Sequence, residues 1–280
     1  MLRYDLHSHT TASDGRLTPV ELVERAVAKQ VQVLAITDHD TVAGLAAAHQ
    51  FNQTLSQPLK LINGVEISAH WHHYDIHVVG LNVCPEHVGL LSLLESQQGQ
   101  REVRARLIGE RLAKAGIEGA YEGAQQQAQL AGISRAHFAR WLINEGYAPD
   151  MKRVFQRYLS RGKTGYVPNQ WCTIEAAVAT IQAAGGQAVL AHPCRYQLNR
   201  KWLRRLLTHF KEAGGDGMEV IASQQSPQER LLLKQLAQEF ELYGSLGSDF
   251  HGESPYIELG RNLIPDPDCQ WIWQAPAWPL

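Results

Sequence analysis

The sequence predicts an α/β protein in which parallel strands form a sheet or a barrel. Two observations support this prediction. Short apolar segments alternate with amphipathic helical patterns along most of the 280 residues. Several of these segments also end in histidine or an acidic residue, and the carboxyl ends of strands are where β/α barrels build their active sites. A chain of this length can bury a large core and form a single catalytic unit.

The bulk composition excludes several classes of protein. With 26 Lys and Arg against 28 Asp and Glu, the net charge of -2 gives no overall field to hold a long polyanion, so any affinity for nucleic acid must be local. No segment reaches the roughly 20 apolar residues that span a bilayer. The four cysteines lack zinc-type spacing and no signal-like start is present, which predicts reduced thiols in a cytoplasmic protein.

The first ninety residues contain the alternation of strands and helices. After a short apolar run, Thr18–Glu21 forms a capping box with proline at the first helical position, which predicts a helix. Residues 33–40 read as a buried strand, and the helix that follows has Asp40 as its predicted N-cap. Two further strands, 59–68 and 74–82, flank a turn that contains histidine.

The pattern changes in the middle of the chain. Residues 93–163 contain helix after helix, rich in Gln, Arg and Ala, with no strand over a length too great for an ordinary loop. We therefore predict a helical insertion domain at 93–163 inside a barrel domain made of 1–92 and 164–280. The alternation then resumes with helices capped by Thr173, Asn199 and Ser226 and strands near 187–193, 216–222 and 242–251. The tail after Ile264 is expected to lie extended on the barrel surface.

Residues of the metal-ligand type follow the predicted strands. They are His7 and His9, Asp38, His39 and Asp40, Glu66, His77, His192, and Asp249 and His251. Any one of them alone is most often a loop residue or a helix cap, and Asp38 is expected to orient neighbours. Five strand ends with the same chemistry indicate a metal site instead. A set of histidines and carboxylates suits zinc, manganese or iron(II).

Six motifs give the chain a resemblance to a known family. The motifs HSHTTASDG, ITDHDT, GVEIS, IHVVGL, AHP and GSDFH resemble, in order, those of the polymerase and histidinol phosphatase (PHP) phosphoesterases. The segments SRAHFARWL, RGKTGYVP, QWCTIE, AHPCRY and QQSPQER are similar to one branch, the bacterial 3′,5′-nucleoside bisphosphate phosphatases and RNase AM, nearly from end to end. This resemblance implies a distorted seven-stranded β/α barrel with a small helical insertion.

The resemblance also implies a cluster of three divalent metal ions. The first ion would be bound by His7, His9, Glu66 and Asp249. Glu66 would bridge to the second ion, bound by His77 and His192. The third ion would be bound by Asp14, His39 and His251. Manganese(II) is the expected metal, with zinc(II) or iron(II) as alternatives.

The chemistry of such a cluster is attack on phosphorus by metal-activated water. No serine or cysteine nucleophile is then needed, and no motif for one is present. If a side chain donates a proton, we expect it to be His39 or His192.

Substrate selection is expected to come mainly from the insertion. A second phosphate needs cationic donors distinct from the metals, and arginine supplies them in bidentate form. The candidates are Arg101, Arg104, Arg135, His137, Lys163 and Arg195. The alternative is that the arginines of the first insertion helix form a solvated helix face.

The implied activity is removal of the 3′-phosphate from 3′,5′-nucleoside bisphosphates and 5′-to-3′ trimming of 5′-phosphorylated RNA. The expected partners are a nucleotide and RNA 5′ ends, without a membrane, and the oligomeric state stays open. A phosphatase for another small metabolite, such as histidinol phosphate, is one alternative, although it leaves the insertion's arginines without a purpose. A barrel amidohydrolase would lack the third ligand set. A non-catalytic, metal-binding regulator is the alternative from a different class.

Overall fold

The computed structural model describes residues 2–128 and 131–279. Its strands are β1 (Tyr4–Asp5), β2 (Val33–Ile36), β3 (Lys60–Trp71), β4 (Tyr74–Leu81), β5 (Cys172–Thr173), β6 (Gln187–Leu190), β7 (Gly217–Ala222) and β8 (Tyr243–Gly247). Its helices are α1 (Pro19–Ala28), α2 (Leu45–Asn52), α3 (Val88–Lys114), α4 (Ala120–Ala128), α5 (Arg135–Asn144), α6 (Met151–Val154), α7 (Ile174–Ala183), α8 (Arg200–Glu212) and α9 (Pro227–Glu239). A π-helical turn, Phe155–Leu159, continues α6. Within the described ranges, no helix is both long and apolar enough to cross a membrane.

Seven strands form a nearly closed barrel in the order β1-β2-β3-β4-β6-β7-β8. Strand β4 runs antiparallel to both of its neighbours, and the other pairs are parallel. The two ends of the sheet meet, because Leu6 N–H donates to the Leu246 carbonyl at 3.0 Å and Ser8 pairs with Phe250. Strand β5 lies off this path and pairs with β3. The predicted distorted seven-stranded barrel is confirmed.

The capping residues explain where several helices begin. The capping boxes at Thr18 and Ser226 are both present, and Thr173 and Asn199 each accept a hydrogen bond from the first turn of the helix that follows. The predicted N-cap at Asp40 is wrong. Helix α2 begins only after Gly44, whereas the Asp40 carboxylate accepts hydrogen bonds from the Ser68 N–H and from Arg101.

The helical segment has a hydrophobic core of its own. Side chains of α3, α4, α5 and α6 form a cluster that includes Ile108, Leu112, Phe138 and Leu142, separate from the clusters of the barrel. Helix α3 belongs to both parts, since Leu90 packs in a barrel cluster. This separate core supports our proposal that 93–163 forms an insertion domain, although the predicted boundary falls within α3.

The carboxyl-terminal tail is not the surface segment that the sequence suggested. Ile272 is fully buried and, together with Trp278, packs against Leu6, Val33 and other interior residues of the barrel. Tyr4, in the first strand, stacks on Trp273 with ring centroids 4.0 Å apart. The tail therefore covers the end of the barrel where the parallel strands begin, because the apolar interior there would otherwise face water.

Replacing Gly247 with alanine is expected to weaken barrel closure. A Cβ at Gly247 would lie 2.3 Å from His7 Cβ and 2.9 Å from His7 N, so β1 and β8 must separate. The free energy of unfolding in urea should fall by about 1–3 kcal/mol, the usual cost of overpacking. Gly99 is the matched control because it is exposed in α3 and its Cβ would meet nothing within 4 Å. Gly99→Ala should raise stability by roughly 0.5–1 kcal/mol, and an unchanged Gly247→Ala protein would contradict the tight closure.

Candidate metal centre

The nine side chains expected to bind metal lie together at the end of the barrel where the parallel strands finish. Three overlapping groups each bring one donor atom per residue to within 4.8 Å of the others. The groups are His7, His9, Glu66 and Asp249; His9, Asp14, His39 and His251; and His39, Glu66 and His77. His192 adjoins them, with Nε2 at 3.1 Å from Glu66 Oε1.

Glu66 lies at the middle of these groups and has no exposed surface. It projects from β3, where its neighbour β4 supplies His77, whose Nδ1 is 2.8 Å from Glu66 Oε1. The other carboxylate oxygen, Oε2, is 2.9 Å from His39 Nδ1 and 3.3 Å from the Nε2 atoms of His7 and His9. One carboxylate is therefore positioned to bridge more than one ion.

Asp14 reaches the centre from the loop after β1. Its Oδ1 lies 3.2 Å from His251 Nε2 and 3.9 Å from His39 Nε2. Asp38 orients this loop and is not one of the grouped donors, since its carboxylate accepts from the Thr10 N–H at 2.7 Å and from the Ser13 hydroxyl at 2.6 Å.

Residues of the helical segment also form hydrogen bonds to Asp14. The Ser134 hydroxyl donates to Asp14 Oδ2 at 3.1 Å, and Arg140 donates to the Asp14 carbonyl. The segment therefore contacts the metal centre directly.

The groups of neighbouring donors overlap, whereas the implied ligand sets give most residues to a single ion. His9 belongs both to the group of Asp14 and His251 and to the group of His7, and its ring stacks 4.0 Å from that of His251. His39 faces Glu66 through Nδ1 and Asp14 through Nε2. The donors form one continuous cluster.

The chemistry of the donors fits divalent cations. Glu66 Oε2 and Asp14 Oδ1 are buried oxygens with histidine nitrogens close by, but none of these contacts has the geometry of a hydrogen bond. A buried, charged oxygen without a donor is costly unless a cation compensates it. Histidine nitrogen with carboxylate oxygen is the donor set of zinc, manganese and iron(II) sites.

The charges of the centre depend on one another. Burial alone would raise the pKa of Glu66, but the neighbouring His39, His77 and His7 hold it well below its usual range. Burial also acts against the charged form of His9, yet the contacts with Asp249 and Glu66 raise the His9 pKa to about 10. Since a metal binds unprotonated imidazole, metal uptake must displace a proton there.

Two histidines behave differently. Burial lowers the pKa values of both His39 and His192 below the ordinary value, so both rings are neutral near pH 7. A neutral ring presents a lone pair to a metal but has no extra proton to give. That His39 or His192 donates a proton to the leaving group stays a prediction.

Glu219 is a site residue that the sequence reasoning missed. Its Oε1 lies 2.6 Å from His7 Nδ1, and its Oε2 accepts the His192 N–H at 2.6 Å. It thereby fixes the ring of one donor and the backbone of another. The signal in the sequence is an acidic residue inside the apolar strand β7, where its side chain is buried.

Two of the donors occupy left-handed backbone conformations. His192 has a φ of 30° and Asp249 a φ of 53°. Such conformations are uncommon for residues other than glycine and are typical of functional sites. Contacts fix both: Glu219 accepts the His192 N–H, and the His7 carbonyl accepts the Asp249 N–H at 2.9 Å.

A cavity of about 140 Å³ opens directly beside the donors. It is lined by His39, His77 and Asp14 from the centre, by Arg101, Arg104 and Arg135 from the helices, and by Asp75, Ser68, Ser134, Ala136, Phe155 and Trp171. Trp171 lies beneath two of the arginines, 4.9 Å from Arg101 and 5.5 Å from Arg104. The sequence alone does not show that Trp171, Asp75 and Phe155 line this cavity.

The three arginines differ in what they already bind. Arg101 pairs with the buried Asp40 and donates to the Ser68 hydroxyl, so it forms a fixed wall of the cavity. Arg135 donates to Asp75 at 3.1 Å. Arg104 has one nitrogen, Nη2, that is buried and without a partner among the described residues. Burial and the nearby Arg135 lower the Arg104 pKa to about 10, which leaves it charged at pH 7.

The other three predicted substrate-binding residues lie elsewhere. His137 is buried and its Nδ1 accepts the Ser134 N–H at 3.0 Å, so it caps α5 and does not line the cavity. Lys163 is exposed in a turn outside the cavity lining. Arg195 pairs with the donor Asp249 and is outside the cavity lining. Their spacing in the sequence did not reveal these tertiary contacts.

Fold and site together define a metal-dependent hydrolase of the β/α-barrel class. The family model described as the PHP domain matches residues 5–223, and the chain belongs to this family.

Curated relatives and a solved structure agree with this assignment. The 5′-3′ exoribonuclease Rnm of Salmonella typhimurium is 54% identical over 272 residues, covering 97% of this chain and 93% of the relative. The 3′,5′-nucleoside bisphosphate phosphatase of Chromobacterium violaceum is 41% identical over 277 residues, covering 98% and 96%. A Bifidobacterium adolescentis structure described as a metal-dependent phosphoesterase has a TM-score of 0.83 at 29% identity, covering 94% of this chain and 92% of that one. The expectation of a phosphoric ester hydrolase is confirmed.

The pH dependence of stability should contain a contribution from His137. Burial lowers the His137 pKa to about 4, below its ordinary value of 6.5. The unfolded chain therefore binds the proton first, and stability falls as the pH is lowered from 6.5 to 4. His137→Gln keeps a capping side chain that cannot titrate. The free energy of unfolding, measured in urea with a chelator present, should therefore depend less steeply on pH between 6.5 and 4, by up to about 1.4 kcal/mol per pH unit. His87→Gln, at a half-buried cap of α3, is the matched control; an unaltered slope in His137→Gln would refute the assignment.

Proposed function

We propose that this enzyme removes the 3′-phosphate from 3′,5′-nucleoside bisphosphates and trims 5′-phosphorylated RNA from its 5′ end. The observation that carries the proposal is the cavity of three arginines directly against the metal donors. Both substrates place one phosphate at a scissile bond and a second phosphate one nucleoside away. The names of the Salmonella and Chromobacterium relatives describe these two activities.

We further propose that the donors hold three divalent ions, with manganese(II) as the metal and zinc(II) or iron(II) as alternatives. His7, His9, Glu66 and Asp249 would hold one ion, Glu66, His77 and His192 a second, and Asp14, His39 and His251 a third. Bound metal would supply an activated water and neutralise charge on the reacting phosphate.

The residues of the cavity have separate tasks in this proposal. Arg104 and Arg135 bind the phosphate that is not cleaved, since Arg104 has a nitrogen without a partner among the described residues and Arg135 lines the same cavity, where it pairs with Asp75. Arg101 keeps the wall in place through Asp40. Trp171 supports both Arg101 and Arg104 from below. The substrates proposed here are cytoplasmic molecules, so we place the enzyme in the cytoplasm.

A substrate panel tests this function. Purified protein with manganese(II) is offered adenosine 3′,5′-bisphosphate, 5′-phosphorylated oligoribonucleotides and histidinol phosphate, and release of phosphate and mononucleotide is measured. We expect turnover of the first two and loss of turnover after chelation. Turnover of histidinol phosphate alone would overturn the proposal, and turnover of none with metal bound would support a regulator.

Replacing Arg135 with alanine should separate binding of the second phosphate from the chemistry. We expect KM for adenosine 3′,5′-bisphosphate to rise roughly tenfold or more, since a charged hydrogen bond contributes about 1.5–3 kcal/mol. KM for adenosine 3′-monophosphate, which lacks that phosphate, should change little. Arg106→Ala is the matched control because Arg106 is exposed and pairs with Glu102. Equal effects of Arg135→Ala on both substrates would rule out the two-phosphate cavity.

Replacing Glu219 with glutamine should weaken metal binding without removing a ligand. The amide keeps the shape of the side chain but loses the charge that orients His7, and loss of such a partner typically costs about 10- to 100-fold in metal affinity. Metal content after dialysis and titration calorimetry with manganese(II) measure the change. Glu175→Gln is the control, because Glu175 also contacts a histidine, His209, but at the surface. Unchanged affinity in Glu219→Gln would show that Glu219 has only a structural role.

A further inference from the structure

The tip of the β3–β4 hairpin and the start of α8 together form a surface that the proposed chemistry does not use. We call it the aromatic ridge and define it as His72, Tyr74, Lys201, Trp202 and Arg205. The Trp202 ring lies 5.3 Å from that of His72 and 6.4 Å from that of Tyr74. The ridge thus joins two segments that are far apart in the sequence.

The ridge combines aromatic rings with positive charge at the surface. His72, Lys201 and Arg205 are exposed, and Tyr74 and Trp202 are half-buried. The Arg205 guanidinium lies 5.2 Å from the Trp202 ring centroid. Beneath them the buried Trp71 makes an edge contact with Trp202 at 5.5 Å, which fixes the position of that ring.

The ridge stands beside the catalytic end of the barrel. Strand β3 continues from the donor Glu66 to Trp71, five further residues that extend about 16 Å at the usual rise of a strand. Helix α8 begins shortly after His192 and Arg195. Next to Tyr74, Asp75 lines the cavity. Because successive side chains of a strand point to opposite faces, Tyr74 lies on the face of β4 away from the cavity, and a chain leaving the cavity reaches the ridge by crossing the tip of the hairpin.

The positive charges of the ridge form no ion pair in the described part of the chain. Arg204, on the same helix, pairs with Glu239, but the described residues place no carboxylate within 4.0 Å of Lys201 or Arg205. The chain as a whole has a net charge of -2, so this is a local cationic patch. Aromatic side chains on which bases can stack, next to cations that contact the backbone, are the features that proteins use to bind single-stranded nucleic acid without sequence preference.

We propose that the aromatic ridge binds the single-stranded RNA that continues beyond the scissile phosphate. The bases would stack on His72, Tyr74 and Trp202, and Lys201 and Arg205 would contact the phosphates. This inference rests on the proposed exoribonuclease activity and extends it. A mononucleotide in the cavity has no further phosphate to place on the ridge, so the ridge favours RNA over the nucleotide.

Charge reversal at the ridge tests the proposal. The variant Lys201→Glu/Arg205→Glu is compared with the intact chain on adenosine 3′,5′-bisphosphate and on 5′-phosphorylated oligoribonucleotides of about two to sixteen nucleotides, which bracket usual site sizes. For the intact enzyme we expect KM to fall with length. In the variant KM for long oligonucleotides should rise roughly tenfold, and the slope of log KM against log salt should fall by about 0.7 for each phosphate that the ridge no longer neutralises. KM for the bisphosphate should not change.

Two controls exclude effects of net charge and of folding. Lys114→Glu/Lys211→Glu makes the same change in charge at the far ends of α3 and α8, and it should keep the length dependence. Lys201→Gln/Arg205→Gln removes the ridge charges without reversing them and replaces the first variant if that one does not fold.

The outcomes separate the ridge from the function on which it rests. If the enzyme cleaves RNA and the ridge variants keep the full dependence of KM on RNA length, only the ridge proposal is overturned. An equal rise in KM for RNA and for the bisphosphate would also overturn the ridge proposal. An intact enzyme that cleaves no RNA would overturn the exoribonuclease proposal, and the ridge with it.

Discussion

The architecture of this protein depends on one buried carboxylate, Glu66. Its charge cannot be solvated, and its neighbours on every side are histidines from four different strands or strand ends. Each strand must therefore lie at the height that brings its imidazole, at the strand end or within the strand as for His77, to the same pair of oxygens. Closure of the barrel through Leu6 and Leu246 brings the first and last strands to this point, so the fold and the site impose the same requirement.

A second buried ion pair fixes helix α3 against the barrel. Asp40, fully buried, accepts the Ser68 N–H of β3 and pairs with Arg101 of α3. Because breaking such a pair leaves an uncompensated charge, the helix is fixed against the sheet at the level of the donors. Arg104, one turn further along, consequently faces the cavity.

Much of this arrangement can be predicted from the sequence, because every donor except Asp14 follows or lies in a recognisable apolar strand. Asp14 lies in a loop, and only the family resemblance implies its role. The helix caps at Thr18, Thr173 and Ser226 are equally local and can be predicted for the same reason. The contacts of Asp40, Glu219, His137 and the Trp-rich tail are not predictable in this way. Each depends on a partner distant in sequence, and the same residue types elsewhere cap helices or face water. The cavity is the intermediate case, since the sequence identifies the arginines but not their different partners.

Helix α3 has a further implication for how substrate preference can change. Its 27 residues extend about 40 Å, with one end in a barrel core, the middle beside the donors and the other end in the core of the helical segment. The segment is thus not a detachable module, because the helix that begins it is also a wall of the active site. Exchange of the segment between relatives would transplant that wall as well, so specificity and catalytic geometry are inherited together.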